Sequence, residues 1–396
     1  MGKNSKRKRK IKNDKGEIKK MKIKNELKNK KGITLIALVI TIIVLLILAG
    51  VTIATLTGPN GIITRANEAK QKTEEAEIQE LRDLAQMEAN TYLEQYEHTE
   101  TINGKTVTVP IPAGFAMSNI EGENSVKDGL VIIDTNGNEY VWIPCTIDGA
   151  DGTVPYSREE TKWTIETDGS DNSRAVKDEL TLLDAGVTYS EVDIENGINQ
   201  DISQEIVNQI NTEKASIEKY KGFYVGRYEV GKKNSKAVIK QDKEPYAEIE
   251  WIDAYQLAKG IGGGTEATTY LCSSYAWDTA LKYIETKTKY TDYGSDINKY
   301  NENWTSKNVV DKYGNIIKKV GESKKLNTGL TTAIYNIYDM GGNVAEFTTE
   351  LNPGTSESVV FRGSNGDNNF PAGYRWDDSS PVSHSTLGFR TTLFLK

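Results

Sequence analysis

Cysteine and histidine are scarce in this sequence of 396 residues, which contains two of each. Two cysteines, Cys145 and Cys272, are too few for a disulfide framework, and they either form one bridge or stay free thiols. Two histidines, His98 and His384, cannot by themselves build a site that needs several imidazole ligands. These scarcities exclude a disulfide-dense module and a multi-histidine metal centre.

Charged residues are absent from Ile33 to Leu56. A helix rises about 1.5 Å per residue, so this run is long enough to cross a hydrocarbon core about 30 Å thick. A soluble helix of this kind would have to be buried on all sides, but this run lies near the terminus between a basic and a charged segment. The sequence therefore predicts one membrane span over residues 33–57, with the basic side cytoplasmic and the rest of the chain exported across the cell membrane.

Positive charge is concentrated before this run, since residues 1–32 hold 15 lysines and arginines against 3 acidic residues. We interpret this segment as a basic leader that follows the positive-inside rule. From Ile33 onward, 34 basic residues face 53 acidic ones, a net charge of −19. That balance argues against nucleic acid as a partner and favours solubility at a surface or affinity for cations.

The leader begins at Met1 or at Met21 and ends in Gly32-Ile33-Thr-Leu-Ile, directly before the apolar helix. Over residues 21–96 this arrangement resembles a type IV prepilin. The resemblance implies a prepilin peptidase that cuts between Gly32 and Ile33, methylation of the new terminus, and packing of the helix against other pilin subunits. The acidic fifth residue of that family is Ala37 here, which removes a carboxylate that pairs with a neighbouring subunit. An uncleaved signal anchor is the alternative.

Apolar residues recur at every third or fourth position after a break at Gly58-Pro-Asn-Gly61. This spacing predicts an amphipathic helical stalk over residues 58–100, whereas a coiled coil would need a longer pattern. The predicted apolar stripe consists of Ile78, Leu81, Ala85, Ala89, Tyr92 and Tyr96.

Short β-rich runs separated by turn residues follow, and residues 101–220 are predicted to form the β-rich start of a globular head. The Asn136-Gly137 pair between two apolar runs predicts a hairpin. Residues 148–220 are polar and predict an insertion or irregular lobe, with one helix around Ile202–Ile217.

The second half of the chain contains several short elements in a distinctive order. They are Tyr140-Val-Trp-Ile-Pro144, Phe223-Tyr-Val-Gly-Arg-Tyr-Glu-Val230, the strand-to-helix run 245–258, Tyr270-Leu-Cys-Ser-Ser-Tyr-Ala-Trp277, Asp339-Met-Gly-Gly-Asn-Val-Ala-Glu346, Arg362-Gly-Ser364 and Gly388-Phe-Arg390. In this order they resemble the formylglycine-generating enzyme and sulfatase-modifying factor family, a divergent C-type-lectin-like fold. The resemblance extends from about residue 128, with a core over residues 221–396. Two tryptophans and a proline usual in that family are replaced by Ala345, Phe347 and Cys272.

The predicted fold class is therefore α+β, with a long pilin-type membrane helix followed by a mixed, irregular C-type-lectin-like head. The oxidising members of the family hold copper with a pair of cysteines, but no cysteine lies between Arg362 and Arg390. Without thiolates there is no soft ligand for Cu(I), so copper is not expected. The iron-dependent relatives need a histidine cluster that two histidines cannot supply alone. We assign no catalytic residue and favour a non-catalytic binding domain, with an exported formylglycine-generating type of enzyme as the alternative.

The resemblance also implies a structural Ca²⁺ ion at the Asp-Met-Gly-Gly segment. Its ligands would be the carboxylates of Asp339 and Glu346 and the carbonyls of Gly342 and Val344. Oxygen ligands of this kind suit a hard cation. The alternative is a tight turn at the two glycines, with acidic side chains that are solvated or cap the turn.

Between Arg362 and Arg390 the sequence is rich in Asn, Asp, Ser, Tyr and Trp, which supply adaptable hydrogen bonds and rigid contact area, as paratope loops do. The two arginines are expected to hold the fold. The resemblance to lectin-fold proteins that retroelements diversify implies a hypervariable loop at residues 364–381, and an ordinary polar loop is the alternative. The predicted ligand-binding residues are Asn365, Asp367, Asn368, Asn369, Tyr374, Trp376, Asp377 and Asp378.

These features together predict a surface-displayed binding protein, either a pilin-like minor subunit of a filament or an adhesin. Its lectin-fold head would bind a protein or a glycan. A structural pseudopilin of a secretion or DNA-uptake system is a further alternative, in which the head has no ligand of its own.

Overall fold

The computed structural model describes residues 37–53, 55–58, 61–102, 104–159, 178–181, 190–193, 198–296, 307–352, 358–365, 370–379 and 383–396. The predicted leader and its processing site at Gly32 and Ile33 lie outside these residues. The chain divides into two compact units, Met1–Glu77 and Ile78–Lys396.

Helix α1 of the N-terminal unit covers residues 37–53 and continues over 55–57. Its large apolar side chains are exposed, with Leu46 at 66%. The hydroxyls of Thr41 and Thr52 donate to the carbonyl oxygens of Ala37 and Leu48, so these polar groups are satisfied inside the helix. The helix is long and apolar enough to cross a membrane, in agreement with the predicted single span.

Helix α2 extends over Ile62–Ala89, and its buried side chains are Ala85 and Ala89. The predicted helical stripe was wrong beyond Ala89, because Tyr96 begins a strand rather than continuing the helix. The rings of Tyr92 and Tyr96 stack with centroids 4.4 Å apart. Their apolar spacing therefore reflects packing between the turn after α2 and the first strand.

The C-terminal unit begins its sheet structure with two hairpins. Strands β1 (Tyr96–Ile102) and β2 (Lys105–Ile111) pair antiparallel. After β3 (Phe115–Met117), strands β4 (Val131–Asp134) and β5 (Glu139–Thr146) form the hairpin predicted at Asn136-Gly137. The turn requires the left-handed conformation at Gly137, with φ of 77°, and the Asp134 carboxylate accepts from the backbone N–H of Asn136. The predicted hairpin is confirmed.

Three more helices and fifteen more strands follow in the described part of the chain. The helices are α3 (Ser203–Tyr220), α4 (Trp251–Gly260) and α5 (Ser274–Glu285). The strands are β6 (Val154–Pro155), β7 (Ser190–Asp193), β8 (Ile198–Asp201), β9 (Gly222–Gly226), β10 (Gly231–Lys233), β11 (Lys236–Val238), β12 (Glu244–Pro245), β13 (Ala267–Leu271), β14 (Val309–Val310), β15 (Ile316–Lys318), β16 (Ala345–Asn352), β17 (Ser358–Arg362), β18 (Arg375–Ser379), β19 (Leu387–Phe389) and β20 (Thr391–Leu395). Helix α3 confirms the helix predicted in the polar segment.

A seven-stranded sheet carries the core of this unit, in the order β13-β20-β9-β5-β4-β3 with β6 beside β5. Alternate residues of β5 enter two hydrophobic clusters, because successive side chains of a strand point to opposite faces. Trp142 joins the cluster that contains Trp251 of α4, and Ile143 joins the one that contains Trp277 of α5. The unit is thus a β-rich, mixed α+β domain, as the sequence predicted.

A four-stranded sheet, in the order β18-β17-β16-β19, lies within the same unit. Its strands are antiparallel except for β16 and β19, which are parallel. This sheet positions β18 and the segment between β17 and β18, where the predicted ligand-binding residues lie.

Candidate functional site

Three aromatic side chains, Phe370, Tyr374 and Trp376, form a cluster at the start of β18. The rings of Phe370 and Tyr374 stack with centroids 4.1 Å apart and an interplanar angle of 7°. The Trp376 ring lies 5.5 Å from Phe370 and 6.1 Å from Tyr374. Trp376 is 43% exposed and the other two are half-buried. This aromatic cluster therefore offers ring faces to solvent.

The backbone below the aromatic cluster is held by hydrogen bonds from buried groups. The indole N–H of Trp277 donates to the Ala372 carbonyl at 3.1 Å, and the backbone N–H of Gly373 donates to the Gly294 carbonyl at 3.0 Å. Arg362 donates from Nη2 to the Gly373 carbonyl at 3.1 Å. These contacts fix the segment that carries the rings, so the cluster is pre-organised rather than adaptable.

A buried network of three arginines and three acids, here named the arginine network, lies behind the aromatic cluster. Arg362 Nη2 contacts Asp278 Oδ1 at 2.6 Å, and Arg375 Nη2 contacts Asp278 Oδ2 at 2.7 Å. Arg375 Nε and Arg158 Nη2 both contact Glu350 Oε1, at 3.0 Å and 2.7 Å. Arg158 Nε also lies 3.5 Å from Glu179 Oε2. The charges of the network are thus balanced within it.

The arginines decide the charge state of the central carboxylate. Burial alone would raise the pKa of Glu350, but Arg375, Arg362 and Arg158 together outweigh burial and lower this pKa to about 2. Glu350 is therefore a fixed anion over the physiological pH range. A carboxylate held in this way cannot serve as a general base near neutral pH, because its pKa is far from that range.

The structure brings together some of the predicted ligand-binding residues and separates others. Tyr374 and Trp376 share the aromatic cluster. Asn365 is buried, at 7% exposed, and Asp377 is half-buried within β18. Asp367, Asn368, Asn369 and the side chain of Asp378 lie outside the described residues.

Sequence reasoning missed Phe370 and most of the arginine network. Alternation along β18 was the available signal, since Arg375 must point opposite to Trp376 in a strand. The inward residue of that pair is an arginine, which is rarely buried without a carboxylate partner. The expected structural arginines, Arg362 and Arg390, are both fully buried.

A second group of buried charges, here named the carboxylate cluster, contains Glu229, Asp339 and Glu346 together with Arg390. Arg390 donates to Glu346 through Nε at 3.0 Å and through Nη2 at 2.6 Å. The Asp339 carboxylate accepts from the Gly329 backbone N–H at 2.7 Å and from the Thr331 hydroxyl at 2.6 Å. Both predicted calcium-binding carboxylates are thus bonded to protein donors.

The backbone between these two acids turns sharply. Gly342 and Asn343 have positive φ values of 138° and 66°. Glu229 stabilises the turn, because its carboxylate accepts from the Asn343 side-chain amide at 2.8 Å and from the Val344 backbone N–H at 3.1 Å. The tight-turn alternative accounts for this geometry without an ion.

Burial raises the pKa of every carboxyl in the carboxylate cluster. The pKa of Glu346 rises to about 7, because burial and the nearby Asp339 together outweigh Arg390. The pKa of Glu229 is raised well above its usual range by burial, then by Asp339 and Glu346. Three acids share Arg390 here, so part of the cluster is protonated near neutral pH.

Calcium stays a prediction for this segment. Among the residues that the structure describes, no group of three or more His, Cys, Asp or Glu side chains is arranged to hold a metal ion. A site at Asp339 and Glu346 would require Glu346 to exchange Arg390 for the cation, since Ca²⁺ needs six to eight oxygen ligands.

The calcium prediction has a direct thermal test. If the ion binds, EDTA lowers the unfolding temperature of the detergent-solubilised chain and added Ca²⁺ restores it, because a ligand that binds the native state alone stabilises it. Asp339→Asn should remove this response, and a chain whose unfolding temperature ignores both EDTA and Ca²⁺ would show that the prediction is wrong.

Both cysteines are free and fully buried, so the structure favours two thiols over one bridge. Cys145 lies in β5 and Cys272 follows β13. Burial raises the pKa of both thiols well above the usual range. Thiols in such surroundings are inert, because the thiolate is the reactive form.

Comparison with known proteins identifies the class of the C-terminal region. Residues 204–393 match the family described as a sulfatase-modifying factor enzyme 1-like domain, FGE-sulfatase. The predicted resemblance to this family is confirmed over these residues, whereas the prepilin-type terminus stays a prediction. No curated protein sequence matches the chain.

Solved structures with similarity to the chain include three at low identity. The crystal structure of CarF is 15% identical, with a TM-score of 0.32, and the match covers 44% of this chain and 87% of CarF. PvdO from Pseudomonas aeruginosa is 16% identical, with a TM-score of 0.30, covering 44% of this chain and 82% of PvdO. Treponema denticola variable protein 1 is 15% identical, with a TM-score of 0.21, covering 75% of this chain and 98% of that protein.

Proposed function

We propose that this chain is a membrane-anchored binding protein whose ligand, a protein or a glycan, contacts the aromatic cluster of Phe370, Tyr374 and Trp376. The exposed ring of Trp376 on a pre-organised backbone carries this proposal. Tryptophan and tyrosine bury large areas at low entropic cost, and they dominate the energetics of many interfaces. The polar residues that follow Ser364 in the sequence would supply the surrounding hydrogen bonds.

Binding explains the chemistry beside the aromatic cluster better than catalysis does. Glu350 and Asp278 are each paired with two or more arginines, and the low pKa of Glu350 keeps it from acting as a general base near neutral pH. The two thiols are buried and protonated. No observation in the described residues favours the exported enzyme over the binding protein.

The anchor determines where the head would act. Helix α1 would hold the chain in the cell membrane, with the head on the exported side. Processing at Gly32 and entry into a pilus-like filament belong to the same proposal, in which the chain is a minor subunit or an adhesin. Ala37 weakens the filament variant, because the acidic residue usual at this position in pilins is missing.

Replacing Trp376 tests the proposed ligand surface. The full chain in detergent would be applied to glycan and protein arrays, and the affinity for any bound probe would then be measured for Trp376→Ala. Loss of a central aromatic contact should weaken binding by about tenfold or more while the unfolding temperature is unchanged.

The matched control is Tyr92→Ala, which removes an exposed aromatic ring from a different part of the unit. This variant should bind as the unsubstituted chain does. Equal binding by Trp376→Ala and the unsubstituted chain would refute the ligand surface.

A further inference from the structure

A cleft of about 1460 Å³ lies beside the β1–β2 hairpin, and residues of the aromatic cluster do not line it. Its walls include the edge of β2, the end of β5 and the C-terminal end of α3. Pockets for small molecules usually measure about 300–1,000 Å³. This cleft is therefore large enough for a polymer segment.

Strand β2 presents an unpaired backbone edge to the cleft. Only two residues separate Ile102 from Lys105, so this closing pair is hydrogen-bonded, and alternate pairs further along are not. The backbone groups of Thr106, Thr108 and Pro110 consequently point away from β1. The Pro110 carbonyl confirms this direction, because it accepts from the Tyr224 hydroxyl at 3.0 Å.

Thr106 and Thr108 line the cleft, and their outward N–H and C=O groups have no partner among the described residues. β2 is paired only with β1 in its sheet. An edge of this kind is a template for another strand, and proteins usually cover or disrupt it.

A buried donor belongs to a residue in the wall of the cleft. Trp142 lines it and is 1% exposed, and its indole N–H has no hydrogen-bond partner in the described structure. The ring lies against Gly222, where a Cβ would come within 2.2 Å of the indole, so only glycine leaves room for it. A buried unpaired N–H costs about 1–3 kcal/mol, so a ligand that supplies an acceptor would recover this energy.

We propose that this cleft binds an extended polypeptide segment, which adds to the open edge of β2 and places a carbonyl or polar side chain at the Trp142 indole. The unpaired groups of Thr106 and Thr108 repeat every second residue, and an extended peptide backbone offers complementary groups at the same spacing. An oligosaccharide lacks that repeat of donors and acceptors. The apolar side chains of Val107 and Pro144 in the cleft would contact side chains of the bound segment.

Proline substitution provides a matched pair of variants on the hairpin. Thr108→Pro deletes an N–H that faces the cleft, and Thr99→Pro deletes the N–H of its cross-strand partner, which faces the opposite edge. Neither N–H bonds within the hairpin, so both variants should keep the same fold and unfolding temperature. Proline is already tolerated in this strand at Pro110.

The probe is a displayed library of short random peptides, selected on the full chain in detergent. Peptides that bind should lose affinity about tenfold or more for Thr108→Pro and keep it for Thr99→Pro. Equal binding by both variants, or failure of the library to yield any binder, would overturn the proposal.

A second measurement on the peptide does not depend on the fold of a variant. Two methylated forms of a binding peptide would be compared, one with methyl groups on the backbone nitrogens of its odd-numbered residues and one with them on the even-numbered residues. One form should lose binding and the other should bind nearly as before, because only one edge of an added strand is bonded to β2. Equal effects in both registers would contradict strand addition. The proposal would also be overturned if no peptide binds but an oligosaccharide does, and if Trp142→Phe weakens the binding of that oligosaccharide.

Discussion

Replacing Arg390 by methionine should destabilise the C-terminal unit by about 3–5 kcal/mol near neutral pH and by less in acid. Arg390 is fully buried and binds Glu346 through two hydrogen bonds, and it also donates to the carbonyls of Gly226 and Tyr338. Methionine would fill much of the space but leave the Glu346 charge unpaired. The desolvation cost of that charge is the source of the expected loss.

The pH dependence follows from the pKa of Glu346. Burial raises this pKa to about 7 despite Arg390, so the folded chain binds the proton more tightly than the unfolded chain does. Binding of this proton therefore favours the folded chain. This contribution to the free energy of unfolding is fully present below the pKa that glutamate has in the unfolded chain, and it is lost as the pH rises through about 7. Without Arg390 the folded pKa rises further, so the deficit of Arg390→Met should grow from about pH 5 to about pH 8.

Urea unfolding followed by tryptophan fluorescence measures this effect, because all six tryptophans lie between Trp142 and Trp376. The double variant Arg390→Met, Glu346→Gln removes both charges and should recover much of the loss at high pH. A deficit that is the same at both pH values, or that the second substitution does not reduce, would contradict the role given to Glu346.

Arg362→Met should cost a similar amount, about 3–5 kcal/mol, and should also weaken ligand binding. Arg362 is fully buried and pairs with Asp278, and its Nη2 and Nε donate to the carbonyls of Gly373 and Tyr374. Its loss would therefore loosen the segment that carries the aromatic cluster as well as unbalance the arginine network.

Arg158→Met separates these two effects. Arg158 pairs with Glu350 and Glu179 in the same network, so its loss should also lower the free energy of unfolding. Unfolding and affinity for an array-selected probe would be measured for both variants, and equal losses of affinity would argue against a positioning role specific to Arg362.

The sequence predicted elements whose signals are local. The turn at Asn136-Gly137 depends on neighbouring residues alone, and helix α3 was located close to its observed bounds of Ser203–Tyr220. The end of α2 could not be predicted from spacing, because Tyr92 continues the apolar rhythm after the helix has ended. Its ring packs on Tyr96 in the first strand. The four-residue spacing of these two tyrosines is the same as the spacing of contacts along a helix, so the sequence alone does not distinguish the two cases.

The site was predicted only in part, for a related reason. Composition predicted Tyr374 and Trp376 as ligand-binding residues, and the structure places both rings in one cluster. The partners of the buried charges are distant in sequence: Arg362 and Asp278 are 84 residues apart, and Arg158 and Glu350 are 192 apart. Pairings at such separations depend on the assembled fold rather than on local pattern.

The position of β20 in the central sheet has a consequence for biogenesis. β20 pairs with β13 on one side and with β9 on the other, and it is synthesised after both of them. The strands made earlier cannot close this sheet without it, and pairings between distant segments form slowly. The sheet therefore stays open between β9 and β13 until β20 has been made, and a chain truncated before Thr391 would leave these two strands unjoined.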